Sequence, residues 1–196
     1  IVGTGEQAEF HLEAMLAVRP VRTVRVVGRR PERAEAFVAL ARSHHPNVAF
    51  EWGTDVRAAV DGADIVCTGT AASEPVLFDA WVAPGTHLNV VGASIPSKTE
   101  IDQDVIVRSA LFADYRPSIY AQAGELIGAM EAGRVGKEHV LAEIGEVLAS
   151  AHPGRTDVGQ ITLYRSLGIA AQDLACAHFC YEAARTRGLG VDAPLD

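Results

Sequence analysis

Residues 1–8 read Ile1-Val2-Gly3-Thr4-Gly5-Glu6-Gln7-Ala8. An apolar stump runs into a G-x-G-x-x-A turn. Residues 6–18 follow, with Phe10, Leu12, Met15 and Leu16 spaced for an amphipathic helix. Each small residue has a physical task. Gly3 permits a tight turn out of the strand. Gly5 has no side chain, so a pyrophosphate can approach the backbone. Ala8 lets helix and strand pack closely. The phosphates then sit at the positive end of the helix that starts near Glu6. The alternative is a glycine turn that holds nothing, because the motif alone is short.

The rest of the chain favours the dinucleotide site. Short apolar runs at 23–27, 48–52, 64–68, 87–91 and 111–114 read as strands. Helical patterns lie between them at 31–42, 55–60 and 102–108, the first with Pro31 at a helix start. This alternation predicts a Rossmann-like α/β fold with a doubly wound, mostly parallel sheet. The later chain reads as mainly helical, over 120–134, 140–149 and 167–187, with one strand near 160–164. We expect a dinucleotide-binding domain at 1–166 and a helical C-terminal extension at 167–196.

Composition narrows the partners. The formal net charge of -8 argues against nucleic acid or an anionic membrane. The apolar stretch 167–184 is broken by Gln172, Asp173, His178 and Glu182, so no transmembrane helix is expected. Cys67, Cys176 and Cys180 are an odd number, which suits a reducing cytoplasm better than a disulfide framework. Cys176 and Cys180 flank His178 on one helix, too few ligands for metal, and are expected to be small buried residues.

The end of strand 23–27 bears on the cofactor. NAD sites place a carboxylate about 20 residues after the glycines, on the ribose 2′-hydroxyl. Gly28 stands there, followed by Arg29 and Arg30, with Arg33 one helical turn on. These guanidinium groups suit the 2′-phosphate of NADP(H). NAD(H) remains possible, with the arginines as solvated loop charges.

The segments IVGTGEQA, ADIVCTGTAASEPVL, WVAPGTHLNVVGAS, DQDVIVRSALFAD and ITLYRSLGIAAQDLA resemble the ornithine cyclodeaminase/mu-crystallin family, from Gly3 to about Tyr181. The resemblance implies a two-domain, usually dimeric enzyme that takes a small imino- or amino-acid substrate. Its substrate domain is built mostly from residues upstream of the glycine motif, and we expect that segment, with its carboxylate-binding groups, to be absent from this chain. The resemblance places Thr4, Glu6 and Gln7 at the pyrophosphate. Gly28, Arg29, Arg30 and Arg33 fall at the 2′-phosphate. Thr70, Ala72, Val91 and Arg165 fall along the cofactor, and Gln122 and Ser166 on the substrate side.

One departure from the family pattern matters. Ornithine-cyclising members place an Asp after the strand that ends at Val91, for proton transfer. This chain reads Gly92-Ala93-Ser94. A serine is a poor general base without an activating partner. The resemblance then implies NADPH-dependent reduction of a cyclic imino acid or ketimine, of the pyrroline- or piperideine-2-carboxylate type. In that reaction the cofactor supplies the hydride and Ser94 positions the substrate. Lys98 reads as a second contact or as a surface charge, and the alternative for Ser94 is that it only satisfies a turn. Alternatives are an alanine- or arginine-type amino-acid dehydrogenase, ornithine cyclodeaminase, and a non-catalytic NADP-binding protein of the mu-crystallin kind.

Overall fold

The computed structural model describes residues 1–191 and 193. In chain order its main elements are α1 (Glu6–Val18), β1 (Thr23–Val27), α2 (Pro31–His44), β2 (Ala49–Gly53), α3 (Val56–Val60), β3 (Ile65–Thr68) and β4 (His87–Val90). They continue with α4 (Gln103–Arg108), β5 (Ala110–Ala113), α5 (Arg116–Gln122), α6 (Gly124–Glu131), β6 (Val140–Glu143), α7 (Ile144–Leu148), β7 (Thr162–Arg165) and α8 (Ala170–Arg187). Every strand pairing is parallel. Each return therefore needs a crossover, and most crossovers contain a helix.

The strands form two groups, β2-β1 and β3-β4-β7-β5-β6. Val2 joins them by parallel bridges to Val27 and to Thr68. Chain direction across the sheet therefore reverses at the stump, between β1 and β3. The largest apolar cluster gathers Val2, Val27, Val66, Leu88, Leu111 and Leu163 from the strands with Ile106, Ile119 and Leu126 from α4, α5 and α6. A second cluster packs Leu12 of α1 and Val38 of α2 with Val24, Val26 and Phe50. Full burial of each such side chain contributes about 1.5–3 kcal/mol.

Three expectations fail. The helix expected over 140–149 is β6 followed by α7. Val140 and Ala142 are buried while Leu141 is exposed, a period of two that belongs to a strand. The helix expected over 120–134 is two helices broken at Ala123, which has extended backbone (φ -79°, ψ 95°). The break lets Gly124 lie so close to the Pro96 carbonyl that a Cβ there would stand 2.3 Å from it. Cys176 and Cys180 are exposed rather than buried, because α8 buries none of its residues. The extension expected at 167–196 is seen through 191 and at 193; residues 192 and 194–196 lie outside the described residues. Among the described residues, no helix is long and apolar enough to cross a membrane.

At the amino end of β4, His87 Nδ1 lies 2.8 Å from Thr162 Oγ1. Burial is the largest influence on this imidazole and holds its pKa below the ordinary 6.5, against an opposing hydrogen bond from Asn89. The unfolded chain therefore takes up this proton at higher pH than the folded one. The stability linked to His87 is present above the unfolded value and lost as pH falls below it. The urea midpoint should drop between about pH 7 and 5.5, and H87Q should flatten that part of the profile.

Candidate functional site

All strands are parallel, so their carboxyl ends meet along one edge of the sheet. An open α/β sheet binds its ligand where the strand order reverses on that edge. Here the reversal falls at Gly3. A crevice opens over it, lined by the 3–7 turn, by 27–30, by 69–76, by Val91, Gly92, Ser94, Ile95 and Lys98, and by Tyr164 and 166–168. A second cavity opens at the opposite end of the strands, around Ile1, Met15 and Val21. It is not at the carboxyl edge and we do not assign it.

The glycines of the first half have separate causes. Gly3 sits at φ 124°, and a Cβ there would lie 2.6 Å from the Gly69 carbonyl oxygen. A Cβ on Gly28 would meet Thr4 Cγ2 at 2.8 Å. Gly5 differs: nothing lies within 4 Å of the place its Cβ would take. Its empty flank opens beside the first turn of α1, which carries no side-chain cap. Free helix N–H groups beside an empty glycine flank fit a pyrophosphate. Thr4, Glu6 and Gln7 line the same wall.

Arg29, Arg30 and Arg33 stand on the crevice rim beside Gly28, exposed to solvent. No ion pair engages them among the described residues. The end of β1 carries no carboxylate.

In the second half, Thr70, Ala72, Val91, Ser94, Lys98 and Ser166 line the wall as expected. Ser94 is exposed to the crevice. Beneath this wall lie three buried acids. Glu100 is fully buried and ties β3 to β4. Its Oε1 accepts from Thr70 N at 2.6 Å and Thr70 Oγ1 at 2.7 Å. Its Oε2 accepts from Gly92 N at 2.6 Å and Thr68 Oγ1 at 3.1 Å. Asp114, after β5, holds the turn that follows β7. Its Oδ2 accepts from Leu167 N at 2.6 Å, Gly168 N at 2.7 Å and Ser166 Oγ at 3.2 Å.

The third acid is Glu125. It is buried and pairs with Arg165, itself fully buried. Arg165 also donates to the Val90 carbonyl at 3.1 Å, to the Ala93 carbonyl and to its own neighbour Ser166 at 3.0 Å. Arg165, expected to touch the cofactor, is thus held beneath the crevice floor, where it fixes the turn that carries Ser94. Gln122 does not line the crevice: α5 ends there, one residue before the break at Ala123. No local pattern announces these acids, because the partners named above lie 8 to 54 residues away.

The family model of the ornithine cyclodeaminase/mu-crystallin family matches residues 1–188. The chain belongs to this family. It is 33% identical over 183 residues to the ketimine reductase mu-crystallin of Mus musculus, covering 93% of this chain and 54% of that protein. Its fold matches that of Thermococcus litoralis Delta(1)-pyrroline-2-carboxylate reductase in complex with NADH and L-proline. The TM-score is 0.94 at 30% identity, over 98% of this chain and 59% of that one. An archaeal alanine dehydrogenase dimer with bound NAD matches at TM-score 0.91 and 30% identity, over 100% of this chain and 59% of that one. The chain thus spans between 54% and 59% of the length of these relatives.

The buried pair makes a direct test. Truncating Glu125 leaves the Arg165 charge without a counterion in a dry site, which costs about 3–5 kcal/mol. Glu125→Leu should lower the urea midpoint accordingly, whereas Gly5→Ala, with open space around its new methyl, should leave that midpoint unchanged.

Proposed function

We propose that the chain is the dinucleotide-binding part of an NADP(H)-dependent oxidoreductase that reduces a cyclic imino acid, of the pyrroline- or piperideine-2-carboxylate type, to the amino acid. The observation that carries this reading is the turn after β4. It presents Ser94 where a deaminating enzyme needs a carboxylate, and both oxygens of the buried Glu100 are occupied by four donors. The turn offers no free base for proton abstraction. Imine reduction asks less of it.

The dinucleotide, when bound, supplies the hydride. The residues of this chain hold and orient. The α1 N-terminus and the flank of Gly5 receive the pyrophosphate. Arg29, Arg30 and Arg33, in no ion pair among the described residues, receive the 2′-phosphate. Ser94 hydrogen-bonds the substrate or an ordered water, with Lys98 as a second polar group on the same wall. Arg165 and Asp114 fix the turns from which Ser94 and Ser166 act. The names of the relatives, a ketimine reductase and a pyrroline-2-carboxylate reductase, support the substrate class. The same reading makes 1–166 the dinucleotide domain. It lets the exposed α8 pack against a substrate domain, and it describes a cytoplasmic homodimer. The likeness to an alanine dehydrogenase favours one other reading, oxidation of an open-chain amino acid.

Titration of the whole protein with NADPH and NADH, followed by turnover with pyrroline-2-carboxylate, tests the proposal. NADPH should bind more tightly and be oxidised when the imine is added. The double variant R29S/R30S should lose about tenfold or more in NADPH affinity and little in NADH affinity. Oxidation of neither cofactor by the imine, with reduction of NADP+ by alanine, would establish the dehydrogenase instead.

A further inference from the structure

Glu100 is a buried carboxylate behind the crevice wall. Its main-chain carbonyl already accepts from Val76 N at 2.8 Å and Leu77 N at 3.0 Å, which fixes the loop against the 74–77 segment. Its side chain is 0% exposed. No Lys, Arg or His nitrogen lies within 4.0 Å of its oxygens among the described residues. Each carboxyl oxygen takes one backbone N–H and one threonine hydroxyl. Backbone N–H groups can only donate, and four donors fill the four acceptor positions of an ionised carboxylate. The four contacts match an ionised carboxylate, which has no counterion among the described residues. Such an anion is costly to bury.

The place of this charge suggests its use. It sits directly behind Thr70 and Gly92, whose loops line the crevice beyond the reversal of strand order. The adenine half of the site is marked by Gly5, Gly28 and the rim arginines. The Glu100 half is left for the nicotinamide. The ring is neutral when reduced and carries a positive charge when oxidised. We propose that Glu100 is a positioning residue whose fixed charge favours the oxidised ring over the reduced one. This rests on the dinucleotide reading given above.

The electron balance shows what the charge would do. A hydride leaves ring carbon C4 with its electron pair and bonds to the carbon of a protonated imine. The C=N π pair becomes the amine lone pair. The ring goes from neutral to cationic and the imine from cationic to neutral. A preorganised anion behind the ring then stabilises charge where it develops.

The experiment compares binding of NADP+ and NADPH, and of NAD+ and NADH, to the whole protein as wild type, E100Q and E100D. E100Q should raise the ratio of the oxidised to the reduced dissociation constant by about fivefold or more, because only one form carries the ring charge. E100D keeps the charge; it should weaken both forms and leave the ratio near that of the wild type. An unmoved ratio in E100Q, or a ratio in E100D that moves as far as that in E100Q, overturns the inference. If E100Q does not fold, the wild type decides alone: its bound couple should have a lower midpoint potential than the free couple, and a higher one overturns the proposal. A wild type that binds neither form of either dinucleotide overturns the dinucleotide reading itself. Binding with an unmoved ratio overturns only the role of Glu100.

Discussion

Three residues, Ile1, Val2 and Gly3, hold the halves of the sheet together. Val2 N donates to the Cys67 carbonyl at 2.8 Å, and Gly69 N returns a bond to the Val2 carbonyl at 2.9 Å. On the other side Gly3 N donates to Val27 and Val27 N to Ile1, at 2.8 and 2.9 Å. Removing this rung would part β1-β2 from the five strands beyond it. The crevice lies where the rung ends, because the chain must leave the sheet at Gly3. The fold and the site thus share one cause.

Around that seam, charge is used to fix loops. Short strands end in turns whose backbone groups must find partners. For Thr70 N, Gly92 N, the Ala93 carbonyl, Leu167 N and Gly168 N the partners are buried side chains rather than neighbouring strands. Glu100 gathers the first two, Arg165 the third and Asp114 the last two. Hydrogen bonds to ionised groups are stronger than neutral ones. Turns held this way keep their geometry without depending on the length of the strands beneath them.

The first half of this architecture was legible in the sequence because its causes are local. The glycine turn, the α1 boundaries and the β1 boundaries are read from neighbours in the chain. Asp55 and Asp102, taken as first helical residues, are the caps of α3 and α4, one residue earlier than the helices themselves. The second half was less legible. Val140 to Glu143 is too short for its period of two to stand out from the helix that follows. Glu143 is also an unusual cap residue, so it did not mark the start of α7. Arg165 is next to Ser166 in the chain, yet faces the interior while Ser166 lines the crevice. Period-two alternation at a strand end predicts such a difference, but not which of the two faces inward.

The rim arginines have a further consequence. Among the described residues they form no ion pair and belong to none of the apolar clusters. The residues that would discriminate one dinucleotide from another are therefore not the residues that keep the chain folded. On the proposed reading, drift at 29, 30 and 33 would change cofactor preference while the scaffold stays as it is.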